Sequence, residues 1–198
     1  GRLLEAEKKA RKQNKNAVLR LGSGRITIDP EQGLAQVRMG DYQLREVSSF
    51  MLEKESYKQE FVSRKAAPID VKGKGRVVTL RSLVWKTALY AARGKVPAGT
   101  NMDEPVQLSR WPNLTRLLLI PGAVRMSALW TIQAASVNGL AQQLKLPLQD
   151  VANFYSAVHA LDLVTAAKDV TPAAKQKKQE TAKGGIFRRI LKRLKAFT

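Results

Sequence analysis

An α+β fold is expected: a small β-rich unit, then a compact helical unit, with basic segments at both ends. Three features of the 198-residue chain point to it. Residues 17–47 carry short apolar runs cut by Gly, Asp and Pro turn signals, as in an antiparallel meander. Residues 80–166 instead carry apolar spacings of three and four, the period of helices. Between them, 65–79 is rich in Gly and cations and reads as a linker. The expected organisation is therefore a basic helical arm 1–16, a β-rich unit 17–64, a linker 65–79, a helical unit 80–170 and a basic tail 171–198.

Residues 2–13 are rich in Leu, Ala, Glu, Lys and Arg, good helix formers that read as a solvated charge run. Val18–Leu21 and Ile26–Ile28 read as strands around Gly22-Ser23-Gly24. After the turn Asp29-Pro30-Glu31-Gln32-Gly33, Leu34–Met39 and Tyr42–Val47 read as two more strands around Gly40-Asp41. Residues 48–62 fit a short helix or another strand. The run Lys72-Gly73-Lys74-Gly75-Arg76 reads as a solvated loop, with a phosphate-binding backbone nest as the alternative. Leu83, Val84, Ala88 and Ala91 place a helix over 80–93, ended by Gly94. A loop with Pro97, Gly99 and Pro105 follows.

Residues 122–166 carry the clearest pattern. Ala123–Ile132 is an apolar helix containing Trp130. Ser136 is a good N-cap for a second helix, 137–145, with Leu140, Ala141 and Leu144 inward. Pro147 stops that helix and opens a third, 148–163, whose stripe is Val151, Phe154, Tyr155, Val158 and Leu161. Leu163-Val164-Thr165 can begin a β-wing. Three short helices with a tight turn between the last two read as a helix-turn-helix; a helical hairpin whose stripes only form core is the alternative.

The run from Arg110-Trp111-Pro112-Asn113-Leu114-Thr115-Arg116 through Ala128-Leu129-Trp130 to Phe154-Tyr155-Ser156-Ala157 resembles winged helix-turn-helix domains of bacterial signalling and regulatory proteins. The resemblance covers residues 80–166 and implies a fold. It transfers no functional residue.

In such a unit the third helix enters the major groove, and its outward positions here include Gln149, Asp150, Asn153, Ser156 and His159. Gln149 and Asn153 are suited to an adenine edge. No Lys or Arg lies between Leu146 and Ala167, so phosphate contacts would fall to Arg110, Arg116, Arg125, Lys145, Lys168 and the tails. That shortage makes a protein-interaction or dimerisation role equally consistent with the pattern.

The tail carries a sharper motif. On a helix advancing about 100° per residue, Ile186, Phe187, Ile190, Leu191, Leu194 and Phe197 fall within roughly 140°. Arg188, Arg189, Lys192, Arg193 and Lys195 take the other side. Such a helix fits an anionic membrane surface, a partner groove or the protein's own body.

Arg110 and Arg116 flank Trp111, a combination able to grip a phosphate and stack a base. A nucleotide messenger such as a cyclic dinucleotide is one expected ligand. The alternative places Trp111 in the core with the arginines at its rim. Catalytic patterns are absent: the single histidine, His159, reads as structural, there is no cysteine, and no G-x-S-x-G or Walker spacing occurs. No enzymatic activity, cofactor or metal is expected.

Lys and Arg number 35 against 16 Asp and Glu, a formal net charge of +19. The ends hold most of the excess: six cations and two glutamates in 1–16, nine cations and Glu180 in 171–198. The first expectation is a cytoplasmic, non-enzymatic regulatory protein that binds nucleic acid. The alternative is a signalling adaptor: its helical unit takes a protein or cyclic dinucleotide, and its C-terminal helix docks on membrane or a partner. A homodimer fits either.

Overall fold

The computed structural model describes residues 2–50 and 58–166. These form an α+β structure with a five-stranded antiparallel sheet, a two-stranded sheet and six α-helices. Strands β1 (Asn16–Leu21), β2 (Gly24–Asp29) and β3 (Leu34–Arg38) make the expected meander. Leu19 sits opposite Ile26, and Ile26 opposite Val37. Two later strands close the edges, β4 (Lys58–Val62) on β1 and β5 (Arg76–Thr79) on β3, giving the order β4-β1-β2-β3-β5.

Three local readings are corrected. Residues 42–47 are not a strand: they lie in α2 (Asp41–Phe50). Leu44, Val47 and Ser48 turn inward, an i, i+3, i+4 set, while Tyr42, Arg45 and Glu46 face solvent. Asp41 in the first turn complements the helix dipole. Helix α1 (Arg2–Lys12) is not a solvated charge run, because Leu3, Leu4, Ala6 and Ala10 are buried. Lys8, Lys9, Arg11 and Lys12 are the exposed cations of this helix. The expected linker ends in β5, whose residues Val77 and Val78 pair with Gln36 and Ala35.

The glycine loop before β5 is closed by its own carboxylate. The Lys72 amide donates to Asp70 Oδ1 (3.1 Å), and Gln36 Nε2 donates to the carbonyls of Asp70 and Lys74 (both 2.9 Å). The Asp70 carboxylate thus already takes up the Lys72 amide.

The helical part follows its expected periods closely. α3 (Leu80–Ala92) starts at Thr79, whose side chain accepts from the Ser82 amide, and ends at Arg93 with φ 48°. α4 spans Ala123–Ile132. α5 (Val137–Leu144) is capped by the Ser136 side chain, which accepts from the Gly139 amide at 3.0 Å. α6 runs Leu148–Ala160, three residues short of expectation, since Asp162 takes a left-handed conformation, φ 54°. β7 (Val164–Ala166) then pairs with β6 (Val106–Leu108), a strand inside the expected loop. Val106 also bridges Ala135, between α4 and α5.

Aromatic rings lock these helices together. Phe154 of α6 meets Trp85 of α3 edge-on (centroids 5.7 Å) and stacks on Trp130 of α4 (6.0 Å). Such pairs add about 0.5–1.5 kcal/mol beyond area burial. Buried residues of the large sheet and of all six helices belong to one hydrophobic cluster, from Leu3 to Leu163. No helix among the described residues is long and apolar enough to cross a membrane.

Candidate anion-binding pocket

The segment 109–118 is tied to the body at three points. The Ser109 amide donates to the Leu163 carbonyl (2.9 Å). The Ser82 hydroxyl donates to the Arg116 carbonyl (2.8 Å), and the Trp85 indole N–H to the Leu118 carbonyl (2.9 Å). Pro112 and Leu114 are buried beneath it. Arg110, Trp111 and Arg116 are held outward.

These three residues line a cavity of about 640 Å³, together with the start of α3, the Gly33 turn, α1 and the end of α6. That volume lies within the range of small-molecule sites, about 300–1,000 Å³. Its apolar wall includes the buried Leu4, Leu80, Leu161 and Leu163. Its polar rim is mainly Arg81, Arg110, Arg116 and Asn113. Trp111 is 47% exposed, so it is a wall of the cavity and not part of the core.

The electrostatics favour an anion. Among the described residues, Glu7 is the only carboxylate in the lining, and Arg11 pairs with it at 2.8 Å. Arg81 gives one N–H to the Leu161 carbonyl (3.1 Å). A guanidinium has five donors, so others stay available. The α3 N-terminus adds less than an open helix end would. Its Leu80 amide is already bound to the Gly33 carbonyl (2.8 Å) and its Ser82 amide to Thr79. The guanidinium groups therefore carry the site's positive potential.

The remaining expected site residues lie elsewhere. Arg125 on α4 donates to the Leu144 carbonyl (2.5 Å) at the end of α5, where Lys145 is the left-handed cap. Neither lines the cavity. Asn153 is half-buried, and its Oδ1 accepts from the Gly94 amide at 2.7 Å. A Cβ at Gly94 would lie 3.1 Å from Gln149 Cγ, so Gln149 packs on the same turn. Ser156 donates to the Lys95 carbonyl (2.9 Å). Asn153, expected to read a base edge, and Ser156 thus tie α6 to the turn at the C-terminal end of α3. His159 is exposed and stacks on Tyr155, centroids 5.8 Å apart. Lys168 and the segment 186–197 lie outside the described residues.

Arg81 was not picked out from the sequence. Its signal is weak: a lone cation just inside a helix start becomes a pocket residue only because the 110–116 segment folds back over it.

No family model, no curated protein and no solved structure matches this chain.

Proposed function

We propose that this chain is a non-enzymatic regulatory binding protein whose pocket takes a phosphate-bearing ligand with a planar ring, a nucleotide in chemical class. One observation carries the reading. Arg81, Arg110 and Arg116 line one cavity with a half-exposed Trp111, and its carboxylate Glu7 is already paired with Arg11. Guanidinium forks match phosphate oxygens in pairs, and an indole face accepts a base. A cyclic dinucleotide belongs to this class. The order α4, α5, α6, β7, with Val106 bridging Ala135 and pairing with Ala166, supports a winged-helix-like assignment for the helical part.

Tryptophan emission tests this directly. Trp85 and Trp130 are buried, so Trp111 is the accessible indole. Titration with a cyclic dinucleotide or a nucleoside 5′-monophosphate should quench it saturably, and Arg110→Ala with Arg116→Ala should weaken the effect at least tenfold. Linear, unsaturable quenching that both variants share with the parent protein would reject the pocket as a site.

Nucleic-acid binding is the second reading. It is favoured by the meeting of Arg125 and Lys145 at the end of α5, with no carboxylate paired to either among the described residues. Here phosphate contacts dominate, and the bond between Asn153 and Gly94 argues against base reading from α6. Fluorescence anisotropy with single- and double-stranded oligonucleotides across a salt series checks it. Steep salt dependence lost on Arg125→Ala and Lys145→Ala supports this reading; no association at 100 mM salt removes it.

A further inference from the structure

We propose that the C-terminal segment 186–197 docks its apolar face along the outer side of α4 in the same molecule. Three observations lead there.

The first is the unmatched side of α4. Ala123, Met126 and Trp130 face the core. On the far side Val124 is 57% exposed and Ile132 79%, with the half-buried Ala128 midway. Positions i, i+4 and i+8 share one helix face. Leu118 and Leu119, exposed in the segment just before α4, add to the uncovered apolar surface. The stripe from 124 to 132 is about 12 Å long, and a helix over 186–197 would be about 17 Å. Ile186, Phe187, Ile190, Leu191, Leu194 and Phe197 offer a continuous apolar face to match it.

The second is where the described chain stops. Ala166 pairs with Val106, and Val106 bridges Ala135, three residues beyond Ile132. Ala166, the last described residue, therefore lies near the most exposed residue of the stripe. About twenty residues separate Ala166 from Ile186, and a flexible chain of that length would span roughly 25 Å. A tether of this reach presents the segment to α4 at about millimolar effective concentration.

The third is charge. Asp103 and Glu104 are exposed just before β6, and Asp103 accepts from the Asn138 amide group of α5 at 2.7 Å. Val106, two residues after Glu104, bridges Ala135, three residues after Ile132, so these carboxylates lie toward the end of the stripe where the arginines and lysines of 186–197 would arrive. Docking turns the apolar side inward and leaves the cations at the rim. A lipid surface would require the same apolar side, so the two placements exclude each other.

The chain has no cysteine, so one can be introduced for a spin label. Lys195→Cys lies on the cationic side and leaves the apolar face intact. In full-length labelled protein, amide signals of residues 124–132 should lose more than half their intensity, at any protein concentration. Ile132→Glu, at a site too exposed to disturb folding, should restore them. Signals unaffected by the label would overturn the proposal, as would broadening that survives Ile132→Glu. Broadening seen only between labelled and unlabelled copies would assign the face to a second molecule and overturn it too. Phosphatidylglycerol vesicles should relieve the broadening. If the label meets vesicles but never α4, the segment is a membrane element and the proposal fails.

Discussion

Helices α4 and α6 share one core, with Trp130 and Phe154 stacked between them, yet their other sides differ. α6 carries the polar side chains, and two of them, Asn153 and Ser156, are taken up by the turn after α3. α4 is apolar on both sides, and one of them is uncovered. Composition alone would place these helices the other way round: the polar one at a ligand, the apolar one sealed in. What decides is the neighbour. Gly94 and Lys95 bring unpaired backbone groups to α6, and Asn153 and Ser156 satisfy them. Nothing among the described residues does as much for Val124 and Ile132.

This contrast can be broken experimentally. The largest effect is expected at Phe154→Ala, which removes the ring that both Trp85 and Trp130 touch. A loss of about 3–5 kcal/mol in urea unfolding is expected; less than about 1 kcal/mol would mean that α6 is not the shared core helix. Asn153→Ala comes next. It leaves the Gly94 amide without its partner and should cost about 1–3 kcal/mol. A variant as stable as the parent but deficient in DNA binding would return Asn153 to the role of base reader. Gln149→Ala is the paired control at an exposed site, with less than about 0.5 kcal/mol expected in the same melts.

A small, pH-dependent effect lies at the start of α2. Hydrogen bonds from Arg76 (2.6 Å) and Lys86 (2.9 Å) hold the Asp41 carboxyl down at about 2. A lowered folded-state value means that this stabilisation is complete above the unfolded carboxyl value near 4. It is lost as pH falls toward 2. Asp41 is half-exposed, so the contribution should be no more than about 1 kcal/mol. Thermal melts at pH 2 to 5 should show Asp41→Asn and the parent converging at the acid end. A gap that widens with acid would reverse the sign.

The helical half was legible because its signals are local. Ser136, Pro147 and the apolar stripes place α4, α5 and α6 within a few residues. Strands β1 to β3 were legible through their turns. Strand β5 was hidden because Val77-Val78 is too short to signal a strand without β3 beside it. Tyr42–Val47 misled because β-branched and aromatic residues suggest a strand, while Leu44, Val47 and Ser48 carry a helical spacing. Arg110, Trp111 and Arg116 were visible as a group. Arg81 and the leucine wall were not, since only folding brings residues 4, 80 and 161 together.

The pocket reading is tested most directly by chemical-shift mapping on isotopically labelled full-length protein titrated with a nucleoside monophosphate. The account predicts that signals of Arg81, Arg110, Arg116 and the Trp111 indole N–H move together and saturate. Shifts centred instead on Gln149 and Asn153, or an unchanged spectrum at millimolar ligand, would contradict it.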